Sequence, residues 1–233
     1  MIELRGLTKF YKTKNGRHYV YRNVNVIFPE GKNIGVIGPN GAGKSTLLRL
    51  IGKIEYPNEG KIITNKRISF PVGFQGGFQG SLTGRELAKF VMNVYLTDEE
   101  ECKEKIKWIY EFTELGRYFD MPVKTYSTGM RARLAFGISM ALDFDYYLLD
   151  EVTAVGDAEF KRKSHHILQE KLTKGANIIL ASHSLELVKK FCDLIVIPYK
   201  GDIILFTNFK EVEEFYQKVC FEGPIFRENG DRT

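Results

Sequence analysis

Cysteine is scarce: Cys102, Cys192 and Cys220 are odd in number and far apart in 233 residues. That spacing excludes a disulfide framework, a zinc cluster and a paired redox motif, and the three read as buried cytosolic thiols. No run approaches the ~18 apolar residues that span a bilayer as a helix. The first ten residues, MIELRGLTKF, carry charges where a secretory signal needs an apolar stretch, so neither membrane insertion nor that secretion route is expected. Internal repeats, low-complexity tracts and long linkers are also missing, which leaves one continuous architecture. Charge of one sign barely prevails: 34 Lys and Arg against 29 Asp and Glu give a net charge of +5. The basic residues are scattered, and the densest cluster, KRK at 161–163, reads as a solvated helix face. No recognition module accompanies it, so direct nucleic-acid binding is not expected.

With 43% hydrophobic and 27% charged residues the chain has the balance of a folded globular protein. Residues 1–28 alternate apolar and polar positions around a KNG turn at 14–16, the pattern of an antiparallel β region. Short apolar runs follow at 34–38 (IGVIG), 146–150 (YYLLD), 177–181 (NIILA) and 194–198 (LIVIP). Strands buried on both faces have this composition, and with helical segments between them they predict an α/β fold built on a parallel sheet. More than a hundred residues separate the first two runs. Helical spacing at 84–95, 98–115 and 130–142 predicts a helical lobe, about 84–142, inserted into that sheet domain. Near the end, a Lys200-Gly201 turn leads into a hairpin strand, DIILF, and an amphipathic helix, together about 202–221.

Residues 38–46 read GPNGAGKST, which satisfies G-x-x-x-x-G-K-[ST] between a strand and an apolar helix. Gly38, Gly41 and Gly43 let the backbone turn its N–H groups and a helix N-terminus toward one anion. Lys44 adds a point charge for the β and γ phosphates, and the Ser45 hydroxyl is a magnesium ligand. A nucleotide would thus be gripped by Gly38, Pro39, Asn40, Gly41, Ala42, Gly43, Lys44, Ser45 and Thr46. Magnesium needs an acid beside this loop, and Asp150, ending YYLLD at a strand's carboxyl end, supplies it. Asp143 and Asp145 belong to the turn entering that strand. Glu151 then stands beside a metal-binding acid, where a carboxylate can orient or deprotonate water. A helix-capping glutamate is the alternative reading of that residue.

YSTGM at 126–130 precedes the helical RARLAFGISMAL, so Ser127 and the amides up to Gly129 form a second helix N-terminus able to hold an anion. Taken with Tyr11 in TKFY, Gln75 and Gln79, AVGD at 154–157 and SHS at 182–184, in this order, the chain resembles the nucleotide-binding subunit of an ATP-binding-cassette transporter over about 1–205. The resemblance implies the fold of that class: a P-loop NTPase sheet with an N-terminal antiparallel region and an inserted helical lobe, all of 1–233 forming one ATP-binding domain. It implies ATP and Mg2+ as cofactors and a homodimer in which Ser127 and Gly129 clamp the γ-phosphate held by the other subunit. Thr128 and Met130 depart from the usual LSGGQ, while the serine and the later glycine are kept. By the same resemblance Tyr11 stacks on adenine, His183 touches the γ-phosphate and helps position water, Asp157 bridges the two nucleotide sites, and Gln75 or Gln79 links magnesium to the membrane partner. His165 and His166 adjoin on a helix and point apart, which does not suit a metal.

GGFQGSLTGRE, YSTGMRARLAFGISMA and DFDYYLLDEVTAVGD are most similar to ATP-binding subunits of bacterial polysaccharide exporters, the capsular subgroup above all. Exporters of O-antigen often append a carbohydrate-binding domain, and 205–233 has room only for a strand and a helix. The resemblance therefore implies an ATPase on the cytoplasmic face of the inner membrane, peripheral, working with an integral membrane permease, two copies of it, and further envelope export proteins. The sugar cargo would be held by the permease and not by this chain. Phe74, Phe78 and Phe90 are candidates to pack on the permease, core packing being the equal alternative. Export of O-antigen or teichoic acid, a soluble ATPase of the same class, and a P-loop kinase are the competing readings.

Overall fold

The computed structural model describes residues 1–14, 16–72, 81–150 and 157–221. Along the chain the elements are β1 (Ile2–Thr13), β2 (Gly16–Phe28), β3 (Ile34–Ile37), α1 (Lys44–Ile51), β4 (Glu59–Thr64), α2 (Gly84–Tyr95), α3 (Glu99–Thr113), α4 (Thr128–Ala141), β5 (Tyr146–Asp150), α5 (Ala158–Thr173), β6 (Asn177–Ser182), α6 (Leu185–Phe191), β7 (Leu194–Tyr199), β8 (Asp202–Phe206) and α7 (Phe209–Phe221). Two 3-10 turns, Gly116–Asp120 and Val123–Thr125, lie between α3 and α4. The chain forms two compact units, Met1–Lys66 with Asn177–Thr233, and Arg67–Ala176.

In the first unit β1 pairs antiparallel with β2 and with β4, giving the order β2-β1-β4. The alternation at 1–28 places Ile2, Leu4, Val24 and Phe28 inside. β4 is a strand that the sequence pattern leaves unmarked, because its apolar content is confined to Ile62 and Ile63. The second sheet of this unit runs β3 beside both β6 and β7 in parallel, with β8 antiparallel to β7 at its edge. Parallel strands covered on both faces need apolar side chains at every position, and β3 is buried throughout. Helix α6 lies directly on β3, and a Cβ on Gly35 would collide with Val188. Lys200 and Gly201, at φ 48° and 84°, make the predicted turn into β8.

The second unit is mainly helical. Ile109, Phe112, Phe119, Phe136 and Phe160 fill its interior, with Phe112 stacked on Trp108 at 4.8 Å between ring centroids. At Gly137 α4 lies close against α3, since a Cβ there would stand 2.6 Å from Thr113 Cγ2. β5 is buried except at Asp150 and bridges in parallel to Ile68 and Val72, a pairing that no apolar run announces. Its entry is fixed by Asp145, whose carboxylate accepts from the Arg67 backbone N–H at 2.7 Å. The apolar stripe of α2 divides: Leu87, Ala88, Val91 and Met92 are buried, whereas Phe90 and Val94 are 61% and 64% exposed. Lys163 departs from a solvated face, donating to Phe112 O at 3.1 Å and to Glu114 at 2.7 Å. Cys102 and Cys192 are buried, and desolvation with nearby Asp193 pushes the Cys192 thiol up to about 12. No helix among the described residues is long and apolar enough to cross a membrane.

Candidate functional site

The first unit carries the loop predicted to hold phosphate. β3 ends at Ile37, and Gly38 begins a loop in which Ala42 N–H donates to Pro39 O at 3.2 Å before α1 starts. Gly41 and Gly43 hold φ at 82° and 104°, backbone that an L side chain resists. A Cβ on Gly43 would also lie 2.7 Å from Val20 Cγ1 and 2.9 Å from the Tyr21 hydroxyl. Gly43 is the N-cap of α1 and supplies no side-chain hydrogen bond to its first turn. The first-turn amides thus receive no side-chain cap and lie at the positive end of the helix dipole, the kind of donor set a phosphate takes. Lys44 is buried at 7% exposure, and its ammonium donates to Gly38 O at 2.7 Å and Pro39 O at 3.1 Å. These bonds hold the charge over the loop. Ser45 is half-buried in the first turn of α1.

Tyr21 is a residue of this loop that sequence reasoning missed. Its hydroxyl donates to Gly43 O at 3.0 Å from β2, and burial raises its pKa above the ordinary phenol value, which favours the protonated donor. Tyr11, expected at the base, is tied to α1: its hydroxyl donates to Glu55 at 2.8 Å and accepts from Arg49 at 3.3 Å. His183 follows the last residue of β6. Ile37 and Ser182 are register partners, so Gly38 and His183 leave the same end of the sheet. Ser184 caps α6 through Leu187 N–H, which fixes where His183 sits in the chain.

The second unit carries the other helix start. Ser127 is the N-cap of α4, with extended backbone, and its hydroxyl accepts from Met130 N–H at 3.2 Å. Ser127 and Thr128 are exposed, and the nearest atom to a Cβ on Gly129 is Ser127 Oγ at 3.9 Å. The preceding Tyr126 is buried and donates to Tyr118 O at 2.5 Å, which anchors the approach to the helix. Asp157 is the N-cap of α5: one oxygen accepts from Phe160 N–H at 2.9 Å, the other from Arg133 at 2.5 Å. The Phe160 amide first, and the Arg133 charge with it, hold this carboxyl below the usual range. Arg133 also covers the Phe160 ring at 4.6 Å. Asp150 is half-buried at the carboxyl end of β5. Glu151, Gln75 and Gln79 lie outside the described residues, as do Phe74 and Phe78. On α5, His166 Nε2 meets Glu170 at 3.1 Å, and among the described residues no three His, Cys, Asp or Glu gather as a metal cluster.

The donor chemistry of the first unit suits the phosphates of a nucleotide: a glycine-framed helix start and a buried ammonium, with the Ser45 hydroxyl in the same turn. Comparison with known proteins agrees with that chemistry. The polysialic acid transport ATP-binding protein KpsT of Escherichia coli is 57% identical over 205 residues, 88% of this chain and 90% of its own length. The capsule polysaccharide export ATP-binding protein CtrD of Neisseria meningitidis is 42% identical over 219 residues, 94% of this chain and all of its own. Among solved structures, a dimeric ATP-binding cassette in a post-hydrolysis state with ADP and Pi superposes with a TM-score of 0.73 at 23% identity, covering 89% of this chain and 98% of that one. The sequence model of the ABC transporter family matches residues 21–154, and this chain belongs to that family.

Proposed function

We propose that the chain is the ATP-hydrolysing subunit of an exporter of capsular polysaccharide. The observation that carries this reading is 57% identity, over nearly all of both chains, to a polysialic acid transport ATP-binding protein. A helix start whose first-turn amides receive no side-chain cap, with Lys44 beside it, supports nucleotide binding independently of likeness. Two copies would work together with an integral membrane permease and further envelope proteins, at the cytoplasmic face of the inner membrane. The exposed Phe90 and Val94 on α2 are the apolar surface that the permease would cover.

In this mechanism Lys44 and the amides of 41–46 bind the β and γ phosphates, and the Tyr11 ring takes the base. Ser45 and Asp150, with Gln75 or Gln79, would hold magnesium, which neutralises charge on the transferring phosphoryl group. Glu151 takes the proton of the attacking water, and His183 donates toward the γ-phosphate. Ser127 and Gly129 of the twin chain close over the same phosphate, and Asp157 connects the two sites. Closure transmits force to the permease, and hydrolysis reopens the pair.

Glu151→Gln tests the chemistry. The variant is expected to bind ATP with wild-type affinity and to lose a factor on the order of 10²–10⁴ in turnover. Unchanged ATPase activity would remove Glu151 from the mechanism. Copurification of the tagged chain with an integral membrane protein tests the transport reading, and a chain that phosphorylates a small molecule as a monomer would refute it.

A further inference from the structure

One carboxylate in the first unit gathers an unusual set of donors. After α1, the Ile54 and Glu55 amides both turn back to Arg49 O, at 2.9 and 3.1 Å, which swings the Glu55 side chain toward β1. There Glu55 accepts from Arg49 Nε at 2.6 Å, from Lys9 Nζ at 3.0 Å and from the Tyr11 hydroxyl at 2.8 Å. Lys9 is only 8% exposed, and besides Glu55 its ammonium donates to Tyr56 O and stands 5.1 Å from the centre of the Tyr11 ring. Arg49 reaches both the Tyr11 hydroxyl and Thr46 Oγ1, at 3.3 and 3.2 Å, so the cluster runs into the first turn of the phosphate-loop helix. Burial pushes the Glu55 carboxyl up, but the three donors outweigh it and keep the group ionised below its ordinary value.

Two cations and a phenol converge on a single anion, and the phenol belongs to the ring proposed to take the base. A plain surface tyrosine would rotate freely about its side-chain bonds. Here the hydroxyl is fixed between an acceptor and a donor, with an ammonium beside the ring, so the ring has one orientation relative to α1. A charge-assisted network of this kind loses more than one bond when its anion is removed, because Lys9, Arg49 and the Tyr11 hydroxyl then lose the acceptor they share.

We infer that Glu55 is a positioning residue for the nucleotide base: by holding the Tyr11 hydroxyl between itself and Arg49, it sets the ring that receives the base and thereby the preference for a nucleoside triphosphate over bare triphosphate. The inference rests on the proposed role of Tyr11. Its consequence is specific, because Glu55 meets the phosphate-loop helix through Arg49 and Tyr11 rather than at Lys44.

The experiment measures equilibrium binding of Mg-ATP and of inorganic tripolyphosphate to the full chain and three variants. In Glu55→Gln and in Tyr11→Phe, ATP affinity is expected to fall about three- to tenfold while tripolyphosphate affinity stays at the wild-type value. Tyr11→Phe keeps the ring and cuts only its ties, so it carries the test if Glu55→Gln fails to fold. Tyr11→Ala separates the two ideas. If Tyr11→Ala still prefers ATP as wild type does, the reading of Tyr11 is wrong. If it loses the preference while Tyr11→Phe and Glu55→Gln retain it, or if those two weaken both ligands equally, Glu55 has no positioning role and the reading of Tyr11 stands.

Discussion

Gly43 combines two constraints in one position: a φ of 104°, and no room for a Cβ between Val20 and the Tyr21 hydroxyl. Alanine there must strain the backbone and push aside a buried tyrosine, costs on the order of 1–3 kcal/mol each. Gly43→Ala is therefore expected to lower the melting temperature and abolish ATP binding together, which thermal unfolding and titration with ATP would register. Tyr21→Phe is milder. It deletes the bond from Tyr21 to Gly43 O, which keeps the Leu47 N–H at 2.8 Å, a loss of about 1 kcal/mol, so binding is expected to weaken with little change in fold. An unchanged ATP affinity in Tyr21→Phe would mean that the loop keeps its shape without the brace. The glycines and Lys44 were legible in the sequence because their spacing is itself the chemistry. Tyr21 was not, since an aromatic in an alternating strand says which face it occupies and nothing about where its hydroxyl ends.

Helix α4 holds two glycines with opposite reasons for being small. At Gly137 a side chain would strike Thr113 of α3, so the residue serves packing within the unit. At Gly129, in the first turn, a Cβ would make only an ordinary contact with Ser127 Oγ at 3.9 Å, and nothing in this unit demands glycine. Gly137→Ala is expected to destabilise the protein by about 1–3 kcal/mol. Gly129→Ala should hold or raise the melting temperature, through the higher helix propensity of alanine, about 1 kcal/mol, and yet depress ATPase activity if a partner's phosphate approaches those amides. Equal activity of Gly129→Ala and wild type would count against the clamp. The far end of α4 is fixed by Tyr147 and Lys171, which donate to Leu142 O at 2.8 and 3.1 Å, and Lys171 also pairs with Asp143 at 2.5 Å. The hydrogen bond from Lys171, ahead of the desolvation that opposes it, holds the Asp143 carboxyl below its ordinary value. A depressed folded-state pKa stabilises above the unfolded value, ~3.9, and that contribution disappears as pH falls through the folded value. The difference in melting temperature between wild type and Asp143→Asn should thus be constant near neutrality and vanish in acid. At this scale the helices α2, α3 and α4 followed from apolar spacing, but the exposure of Phe90 and Val94 did not. Period shows that a stripe exists, and only packing shows how much of it is covered.

For the whole molecule the question is which helix starts serve one nucleotide. Each unit of the chain brings one: Lys44 and the phosphate loop in the first, Ser127 and Gly129 in the second. Both were readable in the sequence, whereas their assignment to one chain or to two is a matter of assembly that no local pattern encodes. If the twin chains share each nucleotide, a defect in Lys44 and a defect in Ser127 lie in different sites when one chain carries both, and in the same site when the two chains of a pair carry one each. In chains that all carry Glu151→Gln, to prevent turnover, Lys44→Ala alone lacks every phosphate grip, and Ser127→Arg alone blocks every clamp. Neither should dimerise with ATP. Mixed, they can pair so that both defects fall in one site and the other is intact, and such pairs should retain about one nucleotide per two chains. Light scattering with radiolabelled ATP would read both quantities. If each chain instead closed on its own nucleotide, every site in the mixture would remain defective, and mixing would add neither dimer nor bound nucleotide to what the separate variants show.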